Sequence, residues 1–237
     1  MRTADWTETT SVLDRFTAIL DTFGDDTGLG VSEIARRANL PKSTVSRIVT
    51  DLVRQGYLER DGGTLHLGLT IFELGQAVRL PTRLRRLAHP IMLRLRDLLG
   101  ETVQLGVMDT EEVVLIASIS TGDDPARQSG TGARSPAPAS ALGRAILAHS
   151  PVEVQQAAAA THPELLRELA EVRRTGVAAS HSNAGASVAT AVIAAGTPIG
   201  ALAVTGAASV VDSGRTRGLV CAAAAALGRQ WSHPGTP

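Results

Sequence analysis

The sequence predicts an α+β protein with two domains: an N-terminal winged helix-turn-helix and a C-terminal domain of mixed helices and strands. The early part of the chain has three helical patterns and a hairpin signal, and strand and helix patterns alternate in the remainder. A length of 237 residues and a hydrophobic content of 43% are enough for two buried cores. We expect the winged helix-turn-helix at residues 1–69, a linker helix at 70–81 and the second domain at 82–237.

Composition and charge exclude several classes of protein. The 23 basic and 23 acidic residues give no net charge, so any surface for nucleic acid must be local. A single cysteine, Cys221, cannot form an intramolecular disulfide and fits a reducing cytoplasm. Residues 1–10 lack the pattern of a signal peptide, and the most apolar stretch, 187–208, is interrupted by glycine, proline and threonine. The sequence therefore predicts a soluble, cytoplasmic protein with no membrane partner.

Three helices are predicted to open the first domain. An apolar stripe with helical spacing begins at Val12, behind a Thr9-Thr10-Ser11 cluster that can supply an N-cap. Ser32 is expected to cap a second helix. Asn39-Leu40-Pro41 then ends that helix and starts a third, because proline disfavours helix in the residue before it and suits a first helical turn. One face of the third helix is apolar, through Val45, Ile48, Val49 and Leu52.

A hairpin is predicted after the third helix. Strand-like runs at Tyr57–Arg60 and Thr64–Leu67 flank Asp61-Gly62-Gly63, and Asp-Gly is a strong hairpin turn signal. Two helices, a tight turn, a third helix and a hairpin form a winged helix-turn-helix, in which the third helix lies in the DNA major groove.

The local charge of this segment is basic. Between Val31 and Arg60 there are six basic and three acidic residues. Cations and hydroxyls contact phosphates, and arginine also binds guanine edges. The predicted DNA-binding residues are Arg36, Lys42, Ser43, Thr44, Ser46, Arg47, Thr50 and Arg60. Two alternatives remain open. Arg36 can be exposed to solvent rather than in contact with bases, and the whole region can be a helical bundle with a charged, solvated face.

One such domain covers only half of a DNA site, and specific affinity generally needs two half-sites about one helical turn apart. We therefore expect a homodimer on double-stranded DNA. The apolar stripe of the first helix and the linker helix are candidate pairing surfaces, and packing within one subunit is the alternative for both.

Helix and strand patterns alternate in the second domain. A helix is predicted at 82–99, strands at 102–108 and 113–117, and a long Gly-, Ser- and Pro-rich loop at 122–138. Further helices are predicted at 139–148, 152–160, 164–174 and 216–231, and buried strands at 188–194 and 199–204.

The sequence contains no recognisable catalytic or metal-binding motif. A Gly-x-Ser-x-Gly elbow, a phosphate-binding glycine loop and His-Glu-x-x-His are absent, and the six histidines show no metal-ligand spacing. We expect neither an enzyme nor a cofactor or metal. Small residues such as Ser140, Thr190 and Ala203 leave room for a small molecule, and a helix start favours an anion. Close packing of helix on strand explains the small residues equally well.

From about Ser11 to Trp231 the chain resembles the isocitrate lyase regulator (IclR) family of bacterial transcription factors. The segment Gly28–Gly75 carries the resemblance in the first domain, with Leu40-Pro41-Lys42-Ser43-Thr44-Val45 at the start of the recognition helix. In the second domain it is carried by RLAHPIMLRLRDLLGETVQLGVMD, GARSPAPASALGRAILA and GASVATAVIAAGTPIGALAVTG. The resemblance implies a dimer or dimer of dimers and a GAF-like effector domain, a curved antiparallel sheet flanked by helices. It also implies a pocket for a small organic acid or aromatic metabolite that alters DNA affinity.

Carried over by position, the effector-binding residues are Ser140, Ala141, Leu142, His181, Asn183, Val188, Ala203 and Thr205. The chain departs from the family pattern at this pocket. Ala137-Pro138 replaces Leu-His, Ser187-Val188 replaces Arg-Cys, and residues 180–183 lack the usual carboxylates. These departures point to a less charged ligand, or to one placed differently.

Together these features predict a ligand-responsive transcriptional regulator that represses a catabolic operon. Its effector is expected to change how the linker at 70–81 orients the two DNA-binding domains of a dimer. A catalytic domain fused to a winged helix and a protein-interaction adaptor are the alternatives.

Overall fold

The computed structural model describes residues 11–24, 28–121, 130–160, 162–182 and 185–232. The chain divides into two compact units, residues 1–79 and 80–237, so their boundary falls inside the segment predicted as a linker. None of the helices in the described ranges is long and apolar enough to cross a lipid bilayer.

The first unit contains four helices and a two-stranded antiparallel hairpin. Its elements are α1 (Val12–Leu20), α2 (Val31–Arg37), α3 (Lys42–Arg54), β1 (Leu58–Asp61), β2 (Thr64–Leu67) and α4 (Leu69–Gln76). Leu29 adds a bridge to the hairpin, because Leu29 and Leu65 each donate a backbone N–H to the other's carbonyl at 2.9 Å. The buried core comes from all three leading helices and the hairpin: Ile19, Phe23, Leu29, Ile34, Ala35, Val45, Val49, Leu52, Leu58 and Leu65.

The starts of α1 and α2 follow different rules. Ser11 caps α1 in a capping box: its Oγ accepts the N–H of Asp14, and the Asp14 carboxylate accepts the N–H of Ser11. The prediction that Ser32 caps α2 is wrong. Gly30, in an extended conformation, is the N-cap, and its carbonyl accepts the first helical N–H groups, so Ser32 lies inside the first turn.

The segment predicted as one linker helix at 70–81 contains the end of one helix and the start of another. α4 ends at Gln76, and α5 begins at Arg79. Pro81 lies in the first turn of α5, where a missing N–H removes no helical hydrogen bond.

The second unit is built on a six-stranded antiparallel sheet with the order β5-β4-β3-β8-β7-β6. Its strands are β3 (Thr102–Asp109), β4 (Glu112–Ile119), β5 (Arg134–Pro136), β6 (Ala178–Ser182), β7 (Gly185–Ala194) and β8 (Thr197–Gly206). Its helices are α5 (Arg79–Leu99), a 3-10 turn (Ala137–Ala139), α6 (Ala141–Leu147), α7 (Val152–Ala159), α8 (Leu165–Thr175), α9 (Ala208–Val211) and α10 (Gly214–Ser232). Register shifts at Leu105/Gly106 and Val192/Ile193 add curvature to the sheet.

Each face of this sheet is covered by different helices. On one face, larger apolar residues of the central strands, such as Val188, form one buried cluster with residues of α5 and α10, such as Leu84 and Leu227. On the other face, the strand residues are mostly alanines; α6 packs directly on them, and residues of α7 and α8 belong to the same buried cluster. We call the second face the alanine face.

Three short elements of the second unit were not predicted from the sequence. β5 lies within the predicted loop 122–138, and neither β6 nor α9 was predicted. β5 and β6 are the two edge strands, which are short and partly polar and, in β5, contain proline, as edge strands tolerate.

Candidate functional site

The outer face of α3 is polar and accessible. Val45, Val49 and Leu52 anchor the helix in the core, so the remaining side chains of the helix project away from it. The predicted residues Lys42, Ser43, Ser46, Arg47 and Thr50 are all exposed, and Thr44 is half-buried. The helix therefore presents hydroxyls and cations on one continuous stripe, with Thr50 donating its hydroxyl hydrogen back to the Ser46 carbonyl at 2.9 Å.

Two cations on this face are uncompensated. In the part of the chain that the structure describes, neither Lys42 nor Arg47 forms an ion pair or a side-chain hydrogen bond. Arg54, near the end of the same helix, differs because it contacts Asp51 at 2.9 Å. Lys42 and Arg47 are thus available to an anionic partner without first breaking a contact.

Arg36 has a different environment from the α3 cations. Its guanidinium forms two hydrogen bonds with Glu33, at 2.9 and 2.6 Å, and Arg37 also contacts this carboxylate at 2.7 Å. These arginines lower the pKa of Glu33 to about 2. Phosphate binding by Arg36 would compete with Glu33, which makes Arg36 a weaker DNA contact than the sequence indicates.

The hairpin presents one further cation. Arg60 is exposed on β1, opposite Leu65, and it too has no ion pair among the described residues. The turn between β1 and β2 contains Gly62, whose φ of +56° is a conformation that glycine adopts readily. Neighbouring His66 instead packs on Gly28, where a Cβ would lie 2.5 Å from the imidazole ring, so His66 is held within the unit.

The second unit brings together only part of the predicted effector site. Ala141 and Leu142 at the start of α6 and Ala203 on β8 belong to one buried cluster on the alanine face. Ser140 precedes them as the N-cap of α6, and its Oγ accepts the N–H of Gly143 at 3.0 Å. Thr205 lies two positions beyond Ala203 and so shares its face.

Two predicted residues lie elsewhere, and one is outside the described residues. Val188 is buried on the opposite face, with the cluster under α5 and α10, because residues alternate along β7. His181 is exposed and contacts the Asp212 carboxylate at 3.0 Å, away from the alanine face. Asn183 lies outside the residues that the structure describes. The structure therefore does not place Val188 or His181 beside Ala203 and Thr205.

The sheet register reveals a polar row that sequence reasoning missed. Strand pairing aligns Thr102 with Thr205, Thr205 with Ser187, and Ser187 with Ser180. Ser120, just after β4, extends the alignment by one strand, since Ile119 pairs with Val103. We call these five residues the hydroxyl row: Ser120, Thr102, Thr205, Ser187 and Ser180. Alternation along β7 could have favoured Ser187 over Val188, but the alignment across strands needs the tertiary register.

The hydroxyl row is linked to Gln104 by hydrogen bonds. Thr205 Oγ1 lies 3.0 Å from Ser187 Oγ and 3.1 Å from Gln104 Oε1. A hydroxyl has one hydrogen, so Thr205 donates to one of these oxygens, and Ser187 donates to Thr205 when the first bond goes to Gln104. The row thus presents both donors and acceptors along one face of the sheet.

The fold and these surfaces define a class: a winged-helix DNA-binding protein with a separate sheet domain of the effector-binding type. The helix-turn-helix domain of the IclR family matches residues 12–62, and the C-terminal domain of bacterial IclR transcriptional regulators matches residues 77–233. The chain belongs to the IclR family of bacterial transcriptional regulators, a family of regulators rather than enzymes.

Individual relatives agree with this assignment. The HTH-type transcriptional regulator BhcR of Paracoccus denitrificans is 35% identical over 140 residues, 58% of this chain and 50% of that protein. The transcriptional repressor IclR of Escherichia coli is 29% identical over 151 residues, 62% of this chain and 55% of that protein. The matched segments span about half the length of these curated relatives.

Solved structures match over more of the chain. An IclR homologue from Microbacterium hydrocarbonoxydans in complex with 4-hydroxybenzoate has a TM-score of 0.83 and 29% identity, covering 92% of this chain and 98% of that chain. The Thermotoga maritima IclR structure has a TM-score of 0.74 at 20% identity, covering 94% and 98% of the two chains, and supports the fold alone.

Proposed function

We propose that this protein is a homodimeric repressor of a catabolic operon, which binds operator DNA through α3 and the hairpin and responds to a small-molecule effector. The supporting observation is the exposed polar stripe of α3, with Lys42 and Arg47 uncompensated within the described residues. Relatives named as repressors, the Escherichia coli IclR repressor and the Salmonella typhimurium acetate operon repressor, support the sign of regulation.

DNA binding is tested directly with the full chain and labelled DNA from upstream of its own gene. Specific binding should survive competition by unrelated DNA, and the affinity should fall steeply as salt rises, because each phosphate contact adds about 0.9 to the salt slope. Binding that is equal for operator and unrelated DNA, or that does not depend on salt, contradicts the proposal.

Homodimer formation is supported by apolar surface on the first unit. α4 has no buried residue, and Leu69 and Phe72 are each 61% exposed. On α1, Val12 is 75% and Leu13 69% exposed. Exposed apolar surface of this kind is typical of a protein interface. Covering it with a second copy would also supply the two DNA-reading helices that two half-sites require.

The dimer is tested by sedimentation equilibrium. Phe72→Glu places a charge in the proposed interface and should shift the protein towards monomer and weaken operator binding. Val152→Glu is the matched control, since Val152 is 60% exposed on α7 of the second unit. If both variants keep the mass and the operator affinity of the wild type, pairing through α4 is wrong.

Effector binding is proposed for the alanine face near α6 and the hydroxyl row. A solved relative binds 4-hydroxybenzoate, which supports a small metabolite as the ligand class. A coupling of about 1–3 kcal/mol between effector and DNA, roughly 5- to 150-fold in affinity, is enough for regulation. We propose that the effector acts by changing how the segment 70–81 presents the paired reading helices. A metabolite that binds tightly and leaves operator affinity unchanged is inconsistent with this mechanism.

A further inference from the structure

Strand β7 is longer than its neighbour β6, so part of β7 has no partner strand on one side. β7 has 10 residues and β6 has 5. β6 begins at Ala178, which pairs with Ala189 near the middle of β7. On its other side, β7 stays paired with β8 as far as Ala194. Residues 190–194 therefore form a free edge of the sheet on the side where β6 has not yet begun.

The backbone of Ala191 faces this free edge. In an antiparallel ladder, the N–H and C=O of one residue point to the same side, and the side alternates from residue to residue. The Ala179 carbonyl of β6 accepts a hydrogen bond from Arg144 at 2.6 Å and so faces away from β7. The adjacent residue, Ala178, is therefore the one whose backbone bonds to Ala189. Ala191, two residues beyond Ala189, points to the same side, past the end of β6.

Neighbouring contacts agree with this orientation. A Cβ on Gly228 of α10 would lie 2.1 Å from the Ile193 carbonyl oxygen, so this carbonyl faces α10 rather than β8. The Gly176 carbonyl, just before β6, accepts the Thr190 hydroxyl at 2.8 Å. Within the described ranges, no hydrogen bond between backbone groups joins Ala191 to the segment before β6. Ala191 is only 9% exposed, and buried backbone groups almost always have a hydrogen-bond partner.

A cavity of about 490 Å³ lies along the free edge, and we call it the β7 edge cavity. Its walls include Ala191 and Ile193 of β7, Cys221 and Gly228 of α10, and His149 just after α6. The lining is mostly apolar, and the volume is within the range of about 300–1,000 Å³ that is typical of small-molecule sites. The cavity adjoins the end of α6, whereas the proposed effector site adjoins its start. The two sites are therefore separate.

The ionisable groups of the cavity leave it largely uncharged. Among the described residues that line it, these groups are His149, Arg229 and the Cys221 thiol. Burial, with a smaller effect from Arg173, lowers the pKa of His149, so its imidazole is neutral at pH 7. Arg229 is exposed and already has an interaction partner. The Cys221 Sγ makes only a weak contact with the Gly176 carbonyl oxygen, at 3.8 Å.

We propose that the β7 edge cavity binds an uncharged, largely apolar molecule with a hydrogen-bond donor and acceptor side by side, such as a lactam or a primary carboxamide. The Ala191 N–H donates to the ligand carbonyl, and the Ala191 carbonyl accepts the ligand N–H, as a neighbouring strand would. The apolar walls cover the rest of the molecule. A carboxylate cannot complete this pair, because it has no donor and its second oxygen would face the Ala191 carbonyl, acceptor against acceptor.

Three probes of similar shape test the proposal by NMR titration of the full, ¹⁵N-labelled chain: benzamide, N,N-dimethylbenzamide and benzoate. Benzamide should shift the backbone amide signals of Ala191 and Ile193. It should bind about 5- to 10-fold more tightly than either other probe, because only benzamide offers both the donor and the acceptor. Bound benzamide should also slow the alkylation of Cys221 by iodoacetamide. Mass spectrometry reports this site alone, because the chain has a single cysteine.

Two tryptophan variants of α10 show whether binding occurs in the cavity. Ala225 lines the cavity and Ala222 does not, and both are exposed, so both variants should fold. Ala225→Trp should abolish the shifts caused by benzamide and the protection of Cys221, whereas Ala222→Trp should bind benzamide as the wild type does.

Three results would each overturn the proposal. They are the absence of a shift at Ala191 with benzamide at millimolar concentration, equally tight binding of benzoate or N,N-dimethylbenzamide, and wild-type affinity in Ala225→Trp. None of these measurements involves DNA, so their failure is distinct from a failure of operator binding.

Discussion

Arg47→Ala is the substitution that most directly tests the DNA-reading surface. Arg47 is exposed on the polar face of α3, between the buried Val45 and Val49, and has no partner within the described residues. Removing such a surface side chain changes the free energy of unfolding by less than about 0.5 kcal/mol. A lost bidentate contact with guanine costs about 1–3 kcal/mol, which raises the dissociation constant roughly 5- to 150-fold. The loss should therefore appear in binding and not in folding.

The assay is fluorescence anisotropy with operator and unrelated DNA over a series of salt concentrations. If Arg47 reads a base, Arg47→Ala lowers affinity for the operator more than for unrelated DNA. If it contacts a phosphate, both affinities fall and the salt slope decreases by about 0.9. Arg36→Ala should lose less, because Glu33 already neutralises Arg36 through two hydrogen bonds.

Arg94→Ala serves as the matched control for net charge. Arg94 is exposed on α5 in the second unit, and its removal should leave operator affinity unchanged. The reasoning is refuted if Arg47→Ala binds the operator with wild-type affinity and salt slope, or if Arg94→Ala loses as much.

Four further substitutions test the fold. Ile34→Ala, at a fully buried position of the first unit, should lower that unit's free energy of unfolding in urea by about 2–5 kcal/mol and leave the unfolding of the second unit unchanged. An equal loss in both units would contradict the division into two units. On α10, Gly228→Ala should lower the free energy of unfolding, because the new Cβ would lie 2.1 Å from the Ile193 carbonyl oxygen. Gly218→Ala, on the same helix but in open space, should raise the free energy of unfolding by up to about 1 kcal/mol. A change of the same sign in both variants would refute the packing of α10 on β7. The pKa of Glu33 is lowered from 4.5 to about 2, so its stabilising contribution is complete above 4.5 and is lost as pH falls towards 2. Glu33→Gln should flatten the acid-induced loss of helicity across that window in circular dichroism, and an unchanged profile would show that the carboxylate contributes nothing.

Local patterns in the sequence predicted the helices and the hairpin of the first unit well. The spacing of Val45, Val49 and Leu52 identifies the buried side of α3, and its polar side follows from the same periodicity. Pro41 places the helix start, and Asp61-Gly62 places the turn of the hairpin. These features need only neighbouring residues, which is why they are readable without a structure.

The candidate effector site could be predicted only in part. The small residues of α6 and β8 share one buried cluster, whereas Val188 lies on the opposite face of the sheet and its neighbour Ser187 lies on the face of Ala203. A shift of one residue along a strand moves a side chain to the other face, so a positional resemblance is least reliable there. Arg36 was likewise predicted without its partner Glu33, whose exposed ion pair depends on the rotamers of both side chains.

By itself, the amino-acid sequence determined the two-domain α+β organisation, the amphipathic recognition helix and the hairpin, because periodicity and turn residues act over a few positions. The tertiary structure decided which strands are neighbours and therefore which hydroxyls line up. Hydrogen-bonded register aligns Ser120, Thr102, Thr205, Ser187 and Ser180 across five strand positions, and the pairing of Thr102 with Thr205 joins two parts of the chain that are about 100 residues apart. That register is set by the packing of both faces of the sheet, which no short stretch of sequence contains.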